Sequence, residues 1–370
     1  MLFVLICFSL EGSMEYPETP NQEQHRGLDQ AVADYSVDAA TGSGLLPDGN
    51  TGDVLTPQDV QRLMPAVLRL ESIESEPVSR AVRVRATIFH EAATLRVVWT
   101  CKEPNPALVA GCLVSIRWLA TMSSVSGHVE NNRLVPALRP DATIDLFGAV
   151  PYGWVRDRQL LARASALWSR LPSEFRGLFN AILRDGARFR RYLMGPSSIE
   201  NHHNLINGNF RHSIEVAELA LALAERNNCA STPIVVLAAL THDAAKADEY
   251  RFNRSRRRFE LSDEGVLVGH RDRLQLWIAS AIARYNLVLP EVQELGLIHA
   301  LTAAKGAPAH LGLREPRSLE ATILSTADRL SGEGEMVSRH ANPKAGFGRY
   351  HRHLKGRPFV SVAENERGVL

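Results

Sequence analysis

The stretch LAALTHDAAK, residues 237–246, sets His242 and Asp243 side by side at the end of an apolar run, with Lys246 one helical turn after His242. Runs of this kind bury, and a buried ionised carboxylate is costly unless it is paired or metal-bound. The pattern recurs. NHHNLINGNFRHSIEVAELALALAERN carries His202, His203 and His212, the last at the start of an amphipathic helix predicted over 213–226. DEGVLVGHRDRLQLWIASAI starts a helix at His270, ELGLIHALTAA holds His299 inside one, and SLEATILSTADRLSG ends an apolar helix in Asp328. A lone histidine on an apolar face is ordinarily a hydrogen-bonded core residue. A His beside an Asp, with further His and Asp on neighbouring helices, points instead to a divalent metal. Mixed imidazole and carboxylate donors suit Mn, Fe, Zn or Mg rather than a thiolate-type structural zinc site.

Other elements must position these groups. AVRVRATIF and ATLRVVWT alternate apolar and polar residues, as strands do. LVSIRWLATM continues the pattern, and SGHVENNRLVPAL adds a strand pair after a glycine turn. Four or five short strands imply a small antiparallel barrel or sandwich from about Ala81, and an OB-like barrel fits. Pattern alone leaves open whether that β domain binds a ligand or is purely structural; Trp99, Arg117 and Trp118 are candidate contacts and equally candidate core or rim. From Gly153 the chain turns helical, as in DRQLLARASALWSRL and EFRGLFNAILRD, and basic. Arg156, Arg158, Arg163, Arg170, Arg176, Arg184, Arg188, Arg190, Arg191 and Arg211 outnumber the nearby acids, a local excess suited to phosphates or to solvated helix faces.

The chain has 370 residues, enough for two or three domains. A net charge of +1 excludes a polycation, so any nucleic-acid site must come from local patches. The four cysteines, Cys7, Cys101, Cys112 and Cys229, form no CxxC pair and read as reduced thiols of a cytoplasmic protein. MLFVLICFSL is apolar but too short to span a bilayer and lacks the basic flank of a signal peptide. An early start codon, with Met14 the alternative start, is the expectation there. No other segment reads as transmembrane. Residues 11–55 have few core-forming side chains and read as a disordered tail, and LTPQDVQRLMPAVLRLESI (55–73) as a helix capped by Thr56 with Pro57 at its first position.

The order His212, His242-Asp243, Asp328 resembles the H…HD…D signature of the HD-domain metal-dependent phosphohydrolases. The words ENHHNLINGNFRHSIEVAELA, LTHDAAKADEY and LSDEGVLVGH are similar to those of the YhaM-type 3′–5′ exoribonucleases, in which an OB-fold domain precedes an HD domain. The HH-rich stretch before RHSIEVA also resembles the HD-like N-terminal domain of TraI-type relaxases from mobile elements. The resemblance spans roughly residues 80–335, strongest at 200–272. It implies an α+β protein: a disordered tail (1–55), an OB-like β domain (78–147), a basic helical connector (150–198), an all-α HD domain (199–335) and a C-terminal extension (336–370).

By the same resemblance His212, His242, Asp243 and Asp328 would hold a divalent metal, with His270 a further ligand or phosphate contact and His299 a further ligand. Asp243, Lys246 and His270 would serve the chemistry, and His202, His203 and Arg211 would touch substrate. One departure stands out. Where the exonucleases tend to carry an SHHG-like histidine pair, this chain has Ala303, Ala304 and Lys305. That implies a single metal or an altered activity, with Lys305 offering a positive charge to a phosphate instead. The implied activity is in-line hydrolysis of single-stranded RNA or DNA from the 3′ end. The alternatives are a nucleotide phosphohydrolase and a relaxase-like protein that binds or nicks DNA. Metal identity, RNA versus DNA and oligomeric state stay open.

Overall fold

The computed structural model describes residues 61–125, 128–199 and 203–362. The apolar start, the tail 11–55, Thr56 and Pro57 lie outside these residues, and Cys101, Cys112 and Cys229 are free thiols within them. Among the described residues no helix is long and apolar enough to cross a membrane.

Five strands come first: β1 (Leu68–Val78), β2 (Ala81–His90), β3 (Ala93–Cys101), β4 (Leu113–Val125) and β5 (His128–Pro136). They close into a barrel in the order β1-β2-β3-β5-β4. β1 meets β4 at Leu68↔Val114, and β3 lies parallel to β5 at Val97↔Val129. The period-two alternation expected of strands is realised: Ala86 and Ile88 of β2 and Val97 of β3 form the barrel core with Leu68, Leu70 and Val114, and Val84 of β2 is buried as well. The helix expected over 55–73 is corrected. Only residues 61–63 are helical within its described part, and the barrel starts at Leu68, ten residues before the boundary at 78. LRLES also alternates, and the edge offered by β2 pairs with it from Arg69 to Val78.

The rest is mainly helical, so the chain is a mixed α+β protein: α1 (Arg158–Ser169), α2 (Ser173–Ile182), α3 (Gly186–Met194), α4 (Gly208–Ala224), α5 (Thr232–Thr241), the single turn α6 (Lys246–Glu249), α7 (Asp263–Leu267), α8 (His270–Tyr285), α9 (Glu291–Thr302) and α10 (Leu319–His340). A hairpin of β6 (Tyr250–Asn253) and β7 (Arg258–Leu261) follows α6, and a small one of β8 (Gly346–Phe347) and β9 (Phe359–Val360) follows α10. α5, TPIVVLAALT, is buried on every face from Ile234 to Thr241, as a helix apolar all round must be. It is the axis around which α4, α9 and α10 pack. α10 does not end at Asp328, as expected, but runs to His340. Ser331 and Gly332 keep its buried stripe narrow there, and Met336 carries it on.

Barrel and helices share a buried seam. Arg69 of β1 is fully buried; its Nε donates to Ala149 O at 2.8 Å and its Nη1 to Gly111 O at 2.9 Å. Its guanidinium lies 5.1 Å from the Trp154 ring and 4.8 Å from that of Phe189. Burial pulls its pKa down to about 9, against the pull of Cys112. At the same seam a Cβ on Gly186 would sit 2.0 Å from Gly111 O, so only glycine lets the start of α3 approach the barrel loop.

Candidate metal centre

α5 delivers the first pair of groups. His242 caps its C-terminus, and its Nδ1 lies 2.8 Å from Ala239 O. A carbonyl only accepts, so Nδ1 carries the proton and Nε2 is the free nitrogen. That Nε2 is buried with no hydrogen-bond partner, 3.6 Å from Asp243 Oδ2 and 3.8 Å from Asp328 Oδ1. α4 brings His212, and α10 brings Asp328. His212 Nδ1 lies 3.1 Å from Ser331 Oγ, which donates its own proton to Glu215 Oε2 at 3.0 Å. Ser331 therefore accepts from His212 Nδ1–H, and His212 Nε2 presents its lone pair 3.0 Å from Asp328 Oδ1. Two lone pairs facing at that distance call for a cation between them.

Electrostatics agrees. Burial holds His212 below its ordinary pKa despite the pull of Asp328 and Asp243, which keeps the imidazole neutral, the form that ligates. Burial alone would raise Asp243; the charges of Lys246, His242, His270 and His212 outweigh it and hold the carboxyl well below the usual range. Burial would likewise raise Asp328, but contact with the His212 imidazole and the nearness of His242 keep it low. Donor atoms of His212, His242 and Asp243 lie within 4.8 Å of one another, the only such cluster found among the described residues. Two imidazoles and an ionised carboxylate, with Asp328 alongside, fit a divalent cation and leave positions for other oxygen ligands.

Around this cluster stand the other expected residues. Lys246 Nζ donates to Asp243 Oδ2 at 2.5 Å and to Ser197 Oγ at 3.4 Å. His270 opens α8 after Gly269, whose φ of +78° suits glycine. Its Nδ1 donates to Glu249 Oε2 at 2.6 Å, and its Nε2 lies 3.4 Å from Asp243 Oδ1. His203, at a left-handed φ of +48°, is buried with Nε2 3.2 Å from Glu215 Oε2, and its ring centre is 5.3 Å from that of His212. Its carbonyl explains Gly208: a Cβ there would lie 1.9 Å from His203 O. His202 lies outside the described residues.

Three expected site residues lie elsewhere. His299 Nε2 accepts from the backbone N–H of Arg317 at 2.8 Å, so that nitrogen organises the loop before α10 instead of joining the cluster. Arg211 pairs with Asp157, the N-cap of α1, at 2.9 Å. Lys305 is exposed on the loop after α9. Most of the connector arginines read as phosphate-tracking are also used inside the fold. Arg163 and Arg170 pair with Glu218 and Glu225, Arg191 with Asp248, Arg184 donates to Ala137 O, and Arg188 stacks on Trp277.

The sequence reading missed Glu215, Ser331 and Glu249. Each lies three residues after a residue it did single out, His212, Asp328 and Lys246, and helical spacing puts such pairs on one face. It also missed the arginine-rich β6–β7 hairpin, with five arginines in residues 251–258. Arg256 and Arg258 bind Glu260, and its hydrogen bonds to Asn253 and these arginines pull its carboxyl down to about 2. Arg251 and Arg254 stay exposed.

The HD domain family matches residues 209–333, from the second residue of α4 into α10, and so covers the whole cluster. This match supports an HD-domain phosphohydrolase; such domains bind divalent metals. No curated protein and no solved structure matches the chain.

One prediction arises from the His212–Ser331–Glu215 relay. Ser331→Ala leaves His212 Nδ1–H without its acceptor and frees its tautomer. Metal affinity is expected to fall about 10- to 100-fold, the usual cost of losing a hydrogen-bond partner of a ligand. Activity titrated against metal concentration should shift right by that factor and recover at saturation; an unshifted curve would remove the relay from the metal's support.

Proposed function

We propose that the protein is a metal-dependent phosphodiesterase that shortens single-stranded nucleic acid from the 3′ end. The convergence of His212, His242, Asp243 and Asp328, with a buried, unpartnered His242 Nε2, carries this reading. A divalent metal held there supplies Lewis acidity toward a phosphate oxygen and toward water. The chain's own groups do the rest. Asp243 keeps its negative charge beside the Lys246 ammonium, so the carboxylate is ready to hold a cation before substrate arrives. Lys246 and His270 flank the Asp243 carboxylate and stand ready to meet negative charge building on the phosphoryl oxygens. Glu249 holds the His270 ring by its Nδ1–H and so fixes which nitrogen faces the site.

The barrel supports a strand as substrate. A closed barrel of five strands with β3 beside β5 is compatible with the OB type, a fold that binds oligonucleotides. Trp99 and Trp118 pack half-buried against the barrel core, and Arg117 is exposed beside Trp118. Bases stack on such rings while cations follow the backbone.

A 5′-labelled single-stranded RNA and a DNA of equal sequence, incubated with protein and Mn, Mg, Fe or Zn, test the reading. The expected result is a metal-dependent ladder shortening from the 3′ end. Cleavage of free nucleotides but neither strand would replace it with a nucleotide phosphohydrolase. A gel shift without cleavage under any metal would replace it with a binding or relaxase-like role.

A further inference from the structure

The segment after α10 is folded onto that helix. The His340 and His351 rings stack at 4.1 Å, Arg349 N–H donates to His340 O at 3.3 Å, and Gly348 N–H donates to Pro358 O at 2.7 Å. The loop of the β8–β9 hairpin is thus held against the last residue of α10, His340, and it sets His353 and Leu354 opposite that helix. Between them lies an open cleft of about 360 Å³ lined by Asp328, Arg329, Glu333, Met336, His353 and Leu354. The cleft is therefore bordered by Asp328, 3.0 Å from His212 Nε2, and by the segment after α10.

That segment's composition is one-sided. Residues 341–362 hold Lys344, Arg349, Arg352, Lys355 and Arg357 and no Asp or Glu. All five cations are exposed, and Lys344, Arg349 and Lys355 have no ion-pair partner among the described residues. Phe347, Tyr350 and Phe359 are 58%, 67% and 60% exposed, and Phe347 meets Phe359 edge to face at 5.0 Å. Exposed cations, three of them without an ion pair, interleaved with exposed aromatic rings suit a single strand: charge for phosphates, flat faces for bases. Most of the connector arginines cannot serve, because acids, carbonyls and rings of the fold already hold them.

We infer that the segment 341–362 is the strand-binding wall of the centre, tracking the phosphates of single-stranded nucleic acid that reaches Asp328 through the cleft. This inference rests on the reading of that site as acting on a strand. Its test does not require hydrolysis. Full-length protein and the variant Lys344→Ser/Arg349→Ser/Lys355→Ser would be titrated with a fluorescein-labelled 12-mer single strand in EDTA, across a salt series, by anisotropy. Circular dichroism would check that both are folded. Losing three phosphate contacts should flatten the slope of log affinity against log salt by about 2, at roughly 0.7 per contact on a single strand. Affinity at low salt should fall at least tenfold. Equal affinity and slope in the variant, or no binding by the unaltered protein, would overturn the inference. Hydrolysis of bis(p-nitrophenyl) phosphate by the unaltered protein with added Mn reports separately on the phosphodiesterase reading. Failure there with the binding difference intact would strike that reading and leave the surface standing.

Discussion

Asp243→Asn is expected to cost the protein its metal and to lower hydrolysis by more than the roughly 100-fold that loss of a ligand's support costs. The substitution keeps the side chain's shape and removes its charge. That charge matters twice. It is the only carboxylate of the three-residue donor cluster, and it neutralises Lys246 at 2.5 Å in a place where the Lys246 and Asp243 side chains are 11% and 6% exposed. The variant would leave the Lys246 ammonium buried without a counter-ion, and breaking such a pair from one side costs about 3–5 kcal/mol. The prediction therefore has two parts: metal content of the purified variant near zero, and a lowered melting temperature. Lys246→Met added to Asp243→Asn should restore much of the stability and none of the metal. A variant that keeps stoichiometric metal would remove Asp243 from the ligand set.

The second large effect lies away from the site. Arg69→Leu should destabilise the chain by about 3 kcal/mol or more. It strips the donors from Ala149 O and Gly111 O, which stay buried, and it removes the cation between the Trp154 and Phe189 rings. Leucine keeps the apolar stem and none of the bonds, so the loss combines the polar seam with the space the guanidinium leaves between the rings. Urea unfolding followed by tryptophan fluorescence, which sums Trp99 and Trp118 of the barrel with Trp154, Trp168 and Trp277 of the helical part, and by helical circular dichroism would show it. The fluorescence transition should move to lower urea and, if the seam is what couples the halves, separate from the circular dichroism transition. Coincident, unshifted transitions would show that the apolar contacts suffice.

The strands 81–136, the helical character from Gly153 and the polar groups closing the apolar helices were legible because each depends on a local period. An alternating segment has one buried face, and a helix buried all round, such as TPIVVLAALT, can carry a charge only at its end. The segment 55–73 misled because LRLESI satisfies both periods over a short span, and only the waiting edge of β2 decides between them. Arg69 was invisible for a related reason. An arginine in an alternating strand reads as outward, and nothing nearby in sequence reveals that the carbonyls of Gly111 and Ala149 converge on it.

His212, His242 and Asp243 were legible as candidates in the sequence itself: residue types that cannot be buried idly, placed where apolar helices carry them inward, whereas Asp328 stays half-exposed at the edge of the cluster. Tertiary structure decided which of the candidates meet. His212 finds Asp328 across 116 residues and Ser331 across 119, while His299 is turned toward the Arg317 backbone and Arg211 toward Asp157. Helical phase sets the side of a helix on which a group lies, but only packing against remote helices sets what that group faces. Hydrogen-bond partners, tautomers and charge balance depend on the second.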